Sequence, residues 1–228
     1  PPFCDYIAYD DAGRKLEYAK AQLESPTNKY KGFFLAVGIR RPHLTWRVPA
    51  PYAALYPLAA TALPTHPILD ASIDPLAWTS FPGLGGLSPY NITNTDEQVR
   101  TYRAAYYAAV SWGDYVAGQL LDKLKELELN PSTAVVMHSD HGWHLGEYNM
   151  WEKRTLWENA AHVPLIIKVP WLPLSRGKRS FSSSFSSFFS SFFSSSFVLT
   201  LFTRCSAEDS RLSVLGNCLR FCSCLLGC

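Results

Sequence analysis

The sequence TAVVMHSDHG at residues 133–142 joins an apolar run to a short polar turn. Residues 133–137 are almost wholly apolar, which is typical of a strand buried on both faces of a parallel sheet. Two similar runs occur elsewhere, GFFLAVG at residues 32–38 and VPLIIKV at residues 163–169. The pattern therefore predicts three strands of one sheet.

The clearest helix lies between the apolar runs at residues 32–38 and 133–137. It begins at a capping box formed by Thr95 and Gln98, and apolar residues then recur at helical spacing until Asn130-Pro131 ends it. A second helix is predicted over residues 11–25. Strand, helix and strand in this order indicate a right-handed crossover. The sequence thus predicts an α/β fold with a mostly parallel sheet flanked by helices.

The sequence changes character near Pro173, so we predict one domain over residues 1–173 and a separate segment over residues 174–228. That segment contains a run from Phe181 to Phe197 built almost only of Phe and Ser, followed by a Cys-rich end. The run has no helical or strand period, and its serines are too frequent for a transmembrane helix. We expect a disordered C-terminal tail without packed structure. It is either a non-native sequence, as from intron read-through or a frameshift, or a low-complexity interaction segment.

The composition fits one ordinary domain, since 47% of the 228 residues are hydrophobic. The net charge of +2 arises from 21 basic and 19 acidic residues, and gives no electrostatic argument for binding nucleic acid or an anionic membrane. Five of the six cysteines lie at or beyond Cys205, so no disulfide framework is predicted. Because the first residue is Pro1 rather than Met, we expect the chain to begin inside a longer protein.

Two polar clusters follow predicted strands, Arg40 to His43 after the first and Ser139 to Gly142 after the second. Ligands of open α/β sheets bind beyond the carboxyl ends of the strands, so both clusters are expected at one edge. Asp140 and His141 offer a carboxylate and an imidazole, which suit Ca²⁺ or Mg²⁺ and also admit Zn²⁺ or Mn²⁺. Spacing alone leaves open a simple turn in which the aspartate caps the next helix.

Longer motifs around these clusters resemble the sulfatase family of the alkaline phosphatase superfamily, and are most similar to its iduronate-2-sulfatase branch. The resemblance extends over roughly residues 11–173. It rests on SDHGWHLGE at 139–147, WEK at 151–153, HVPLI at 162–166, FFLAVG at 33–38 and the Pro-His pair at 42–43.

The resemblance implies metal-dependent hydrolysis of sulfate esters on sulfated sugars such as glycosaminoglycans. It implies that Asp140 and His141 coordinate a divalent cation, usually Ca²⁺, and that Lys153 and His43 contact the sulfate as catalytic and substrate-binding residues. Such charges suit an anionic ester, because developing charge on its oxygens needs fixed positive partners.

Two family features are missing from the sequence. The family nucleophile is a formylglycine made from the cysteine of a Cys-x-Pro/Ala-Ser-Arg motif, and Cys4, followed by Asp-Tyr-Ile-Ala, does not match it. We expect the formylglycine, and a pair of metal-binding aspartates, in a missing N-terminal part. Asp10 and Asp11 are interpreted as N-cap residues instead. The chain alone is therefore expected to be inactive.

Further predictions concern partners, modification and location. The expected partner is a sulfated carbohydrate or small sulfate ester, with no nucleic acid and no membrane. Asn91 opens an N-glycosylation sequon, and the full-length parent is expected to be lysosomal or secreted. His138 and His144 are interpreted as structural rather than metal-binding. The alternatives are a phosphodiesterase or phosphonate hydrolase of the same superfamily, and a non-catalytic product of mis-splicing.

Overall fold

A computed structural model describes residues 3–68, 72–73, 94–153, 155–172 and 197–203. The helices are α1 (Cys4–Glu24), α2 (Ala50–Ala53), α3 (Asp96–Glu126) and α4 (Glu158–Ala161), with short 3₁₀ turns at Leu58–Ala60 and Glu147–Asn149. The strands are β1 (Phe34–Ile39), β2 (Thr133–His138), β3 (His144–Leu145), β4 (Trp151–Glu152), β5 (Leu165–Lys168) and β6 (Phe197–Thr203). No described helix is both long enough and apolar enough to cross a membrane.

The capping box that opens α3 is confirmed. The Thr95 hydroxyl accepts the backbone N–H of Gln98 at 3.2 Å, and the Gln98 side chain accepts the N–H of Thr95 at 2.8 Å. Acidic residues occupy the first turn and lysines the last, as the helix dipole favours. The buried face of this helix, which includes Leu120 and Leu124, packs against the sheet.

Helix α1 begins at Cys4, seven residues before the predicted start at Asp11. The interpretation of Asp10 and Asp11 as N-cap residues is therefore wrong. Both carboxylates lie within α1, exposed, and form ion pairs one turn ahead with Arg14 and Lys15. Such i,i+4 pairs support a helix locally.

The α/β class is confirmed, but the pairing within the sheet differs from the prediction. The four main strands lie in the order β1-β6-β2-β5, and every hydrogen-bonded pair among them is antiparallel. Strands β1 and β2 do run in the same direction, but β6 lies between them. Strand β5 enters the sheet opposite His138, the residue that ends β2, and therefore runs back along its neighbour. The expectation of a mostly parallel sheet was wrong because it did not include β6 between β1 and β2, and because β5 runs antiparallel to β2.

The expectation that nothing after Pro173 would pack is wrong for β6. Its sequence FVLTLFT is rich in β-branched and aromatic residues, which favour strands. Val198, Leu199 and Leu201 are at most 1% exposed, at the centre of the sheet. The division of the chain at residue 173 otherwise stays a prediction.

Helices α1 and α3 cover one face of the sheet. Leu16 from α1 and Leu120 from α3 meet Val37, Leu199 and Leu201, and all five are buried. Burying a side chain of this size contributes about 2 kcal/mol relative to exposing it. This core holds β1 and β2 in fixed positions, and so fixes the turns that follow them.

Candidate active site

The turns that follow β1 and β2 lie at the same edge of the sheet, as the sequence predicts. Gly38 near the end of β1 and His138 at the end of β2 both pair with Val198, so the two strands end at one level. The Trp143 ring joins the two turns. Its centroid lies 6.3 Å from the His43 ring, 6.2 Å from the His141 ring and 6.0 Å from the Lys153 ammonium.

Asp140 and His141 present an oxygen and a nitrogen to a shared space. Asp140 Oδ1 lies 3.7 Å from His141 Nε2 and accepts the backbone N–H of His141 at 3.1 Å. His141 Nδ1 lies 2.7 Å from the carbonyl oxygen of Gly142, so Nδ1 carries the proton and donates it. This leaves the lone pair of neutral imidazole on Nε2, which is buried and has no hydrogen-bond partner among the described residues.

These features fit a divalent cation. A backbone carbonyl that orients the imidazole through Nδ1 is the usual support of a metal-binding histidine. Burial lowers the pKa of His141 and outweighs the hydrogen bond to Gly142 and the charge of Asp140, so the ring is neutral at pH 7. No group of three His, Cys, Asp or Glu residues in the described part of the chain is arranged to hold a metal. The two residues are thus a partial ligand set, and their role stays a prediction.

His43 and Lys153 bring an imidazole and an ammonium group to the same space. Both oppose protonation of His141 electrostatically, which places them near its ring. His43 Nδ1 lies 2.8 Å from the Leu44 carbonyl oxygen and therefore donates to it. Its Nε2 thus gains a proton to donate only when the ring becomes an imidazolium. The Lys153 ammonium and the His43 imidazole together supply donors suited to an anionic oxygen.

A cavity of about 300 Å³ opens beside His141. Tyr106 of α3 lines it and stacks on Trp143, with ring centroids 6.0 Å apart and planes 23° apart. Burial raises the pKa of Tyr106 to about 12, so its hydroxyl stays protonated. Asn159 and His162, on and just after α4, add polar groups to the wall. The site therefore adjoins a space with aromatic and polar walls.

Asp5 supports this edge of the sheet, a role that the sequence analysis did not predict. Its side chain is buried at 1% exposure, and its Oδ1 accepts the backbone N–H of Arg40 at 2.6 Å and of Arg41 at 3.3 Å. These two residues directly precede the Pro42-His43 turn. The contact spans 35 residues of chain, so no local pattern could reveal it.

Replacing Asp5 with alanine is expected to lower the free energy of unfolding by about 2 kcal/mol, since two backbone donors lose a charged acceptor in a buried place. Urea unfolding followed by circular dichroism measures this. Asp10→Ala on the same helix removes an exposed ion pair and should leave stability nearly unchanged. Equal effects of the two substitutions would contradict a supporting role for Asp5.

His138 and His144 are both buried and contact neighbouring groups, and their interpretation as structural residues stays a prediction. His138 is 5% exposed at the end of β2, and its Nδ1 lies 3.3 Å from the Ser139 carbonyl oxygen. His144 is fully buried, and its Nε2 lies 2.7 Å from the Thr155 hydroxyl. Nearby, Arg103 of α3 forms an ion pair with Glu147 at 3.0 Å, which joins α3 to the 3₁₀ turn at Glu147–Asn149.

Stability should fall as the pH drops below about 6.5, because burial lowers the pKa of His144 in the folded chain. The contribution of neutral His144 is complete above the pKa of the unfolded chain, and is lost as the pH falls, by at most about 1.4 kcal/mol per pH unit. Urea midpoints at pH 7.5 and 5.5 measure the change. His144→Gln cannot bind a proton and should reduce the pH dependence; an unchanged dependence would exclude His144 as its source.

Asn91 lies outside the described residues. The predicted metal, catalytic and substrate-binding residues, in contrast, are all described, and the structure brings them together around Trp143.

The sequence pattern of the sulfatase family matches residues 1–195. The chain belongs to the sulfatase family. Iduronate 2-sulfatase of Homo sapiens is 37% identical to this sulfatase chain over 166 residues, which cover 69% of the chain and 30% of the human protein. A sulfatase of Formosa agariphila is 35% identical over 158 residues, covering 69% of the chain and 31% of that protein.

Among solved structures, the phosphonate monoester hydrolase of Silicibacter pomeroyi is similar to the sulfatase chain with a TM-score of 0.46 and 32% identity. The match covers 57% of this chain and 27% of the hydrolase. The chain thus spans about 30% of the length of the relatives named above.

Proposed function

We propose that this chain is part of a sulfuric ester hydrolase of the iduronate-2-sulfatase type, which hydrolyses sulfate esters on sulfated sugars such as glycosaminoglycans. The observation that carries the proposal is the gathering of His43, Lys153 and the Asp140–His141 pair around one indole ring at the end of two strands. Membership of the sulfatase family supports the reaction class.

The chain's own residues would each perform a distinct task. Lys153 would bind an anionic oxygen of the ester through its ammonium group, and the charge would strengthen that contact as the bond to sulfur breaks. His43, as an imidazolium held by its Nδ1 contact to Leu44, would donate the Nε2 proton to the leaving oxygen. Asp140 and His141 would hold Ca²⁺, which supplies a further fixed positive charge when bound.

The nucleophile is not among these residues. The Cys-x-Pro/Ala-Ser-Arg motif that yields formylglycine does not occur in the 228 residues. In this proposal His43 and Lys153 would bind and protonate the ester, and the attacking group is not among the described residues. We propose that the chain on its own binds sulfate esters without turning them over.

The test is binding of a 2-O-sulfated uronate disaccharide in the presence of Ca²⁺, followed by tryptophan fluorescence, since Trp143 adjoins both His141 and Lys153. The same disaccharide without sulfate is the matched control. We expect saturable binding of the sulfated sugar alone, weakened about tenfold or more by Lys153→Met, which removes the charge that meets the ester. Equal binding of both sugars would contradict the proposal.

Turnover is tested separately with a chromogenic aryl sulfate and Ca²⁺. No product is expected above the uncatalysed rate. Clear metal-dependent hydrolysis by this chain would show that another group attacks the ester, and would refute the proposed inactivity.

We further propose a lysosomal or secreted location for the full-length parent, with Asn91 as its glycosylation site. Digestion of the parent with an endoglycosidase, compared with Asn91→Gln, tests the modification. A mass that does not change on digestion would exclude it.

A further inference from the structure

We propose that the space between β1 and β2 is a strand-binding groove for an extended, largely apolar peptide, which this chain occupies with its own residues 197–203. The groove lies between the two strands whose ends carry the candidate active site, but the inference does not rest on the proposed function.

The two walls of the groove are strands that never pair with each other. β1 and β2 run in the same direction, and each forms a six-residue antiparallel register with β6. The strand spacing of a sheet is about 4.8 Å, so the walls stand roughly two spacings apart. Without a strand between them, the inner N–H and C=O groups of both walls would be unpaired, which is costly in a buried place.

The walls and the occupant have different origins in the sequence. The sulfatase pattern ends at residue 195 and includes β1, β2 and β5, whereas β6 begins at Phe197. The groove is thus built from family sequence, and the strand that occupies it lies outside the match. Strand β6 follows β5 in the sequence and belongs to the same chain as both walls.

The groove accepts apolar side chains on both faces. Leu199 and Leu201, at 1% and 0% exposure, meet the core under α1 and α3, while Val198 and Thr200 on the other face are at most 4% exposed. The Thr200 hydroxyl is buried and has no hydrogen-bond partner among the described residues. Valine at this position should therefore fit better than the native residue.

One end of the groove sets the register. The Thr203 hydroxyl accepts the N–H of Phe33 at 2.8 Å, and the Thr203 N–H donates to the Phe33 carbonyl at 3.1 Å. A Cβ atom at Gly32 would lie 2.3 Å from the Thr203 hydroxyl oxygen, so glycine there admits this side chain. An occupant is thus recognised by a small hydroxyl residue at its end as well as by its apolar centre.

The first experiment places one substitution in two contexts. A fluorescent peptide of residues 197–203 with flanking lysines is added to the full chain, and anisotropy reports binding. Leu201→Asp in the chain weakens the tethered strand and should raise the affinity for the peptide about tenfold or more. Leu201→Asp in the peptide should abolish binding, and Thr200→Val in the peptide should strengthen it about tenfold, as expected for removal of a buried unpaired hydroxyl.

The second experiment does not depend on a destabilised variant. In a background with the native cysteines replaced by serine, Ala36→Cys and Thr200→Cys face each other in the register. Their disulfide should form within one chain and exclude the peptide, and reduction should restore uptake. The control pair Ala36→Cys and Leu201→Cys points to opposite faces and should form no disulfide. Peptide uptake that is equal in both redox states, no uptake after reduction, or a disulfide that joins two chains would overturn the proposal.

Discussion

Replacing Asp140 with asparagine is expected to abolish calorimetrically detectable binding of Ca²⁺ to this chain. Asparagine keeps the shape of the side chain and one oxygen, but removes the negative charge that lies 3.7 Å from His141 Nε2. Calcium affinity depends on the number of charged oxygen ligands, and sites with few of them bind only at about 10⁻⁴ to 10⁻³ M. A site that starts in this range has little affinity to lose before binding disappears.

Isothermal titration of the native chain and the variant measures this effect, and Tb³⁺ luminescence sensitised by Trp143 gives a second readout at the same place. Asp122→Asn is the matched control, because this exposed carboxylate of α3 forms an ion pair with Lys125 and should not affect the cation. His141→Ala should act like Asp140→Asn. If the native chain binds Ca²⁺ and Asp140→Asn binds it equally well, the cation lies elsewhere.

The parts of the fold that follow from local sequence could be predicted. The capping box at Thr95 and Gln98 depends on residues three apart, and the structure contains it. The placement of His43 and Asp140 at one sheet edge required only that β1 and β2 run in the same direction on either side of a helix. Both predictions rest on short-range patterns and on the handedness of crossovers.

The remaining features depend on contacts between distant residues. Strand β6 pairs with β1 across more than 150 residues, and a run that follows a Phe/Ser repeat gives no local sign of where it will pair. Asp5 meets Arg40 through the packing of α1 beside β1, so its helix alone could not identify it. The contacts of Trp143 with His43, His141 and Lys153 could not be predicted from the sequence either. A tryptophan in a turn is usually explained by packing.

Replacing Gly142 with alanine is expected to lower the free energy of unfolding by about 3 kcal/mol, an effect of backbone overlap rather than of lost contacts. A Cβ atom at this position would lie 2.0 Å from the carbonyl oxygen of Asn159 and 2.9 Å from that of His162. Both are backbone atoms that cannot swing aside, and the Gly142 N–H donates to Ala160 at 2.8 Å, so the turn cannot move away without losing that bond. The glycine is required by close approach of two backbones.

The same substitution at Gly118 should act in the opposite direction. Gly118 lies inside α3, and a Cβ there would meet nothing within 4 Å, so alanine should stabilise the chain by about 0.5 to 1 kcal/mol through helix propensity. Chemical unfolding of the two variants measures the change in the free energy of unfolding, which should be negative for Gly142→Ala and positive for Gly118→Ala. The Gly142 carbonyl oxygen accepts a hydrogen bond from His141 Nδ1 and so orients the ring. Gly142→Ala should therefore also weaken Ca²⁺ binding, whereas Gly118→Ala should not. A stable Gly142→Ala variant with native Ca²⁺ affinity would mean that the turn after β2 is free to rearrange, and that the orientation of His141 is not fixed by the backbone around it.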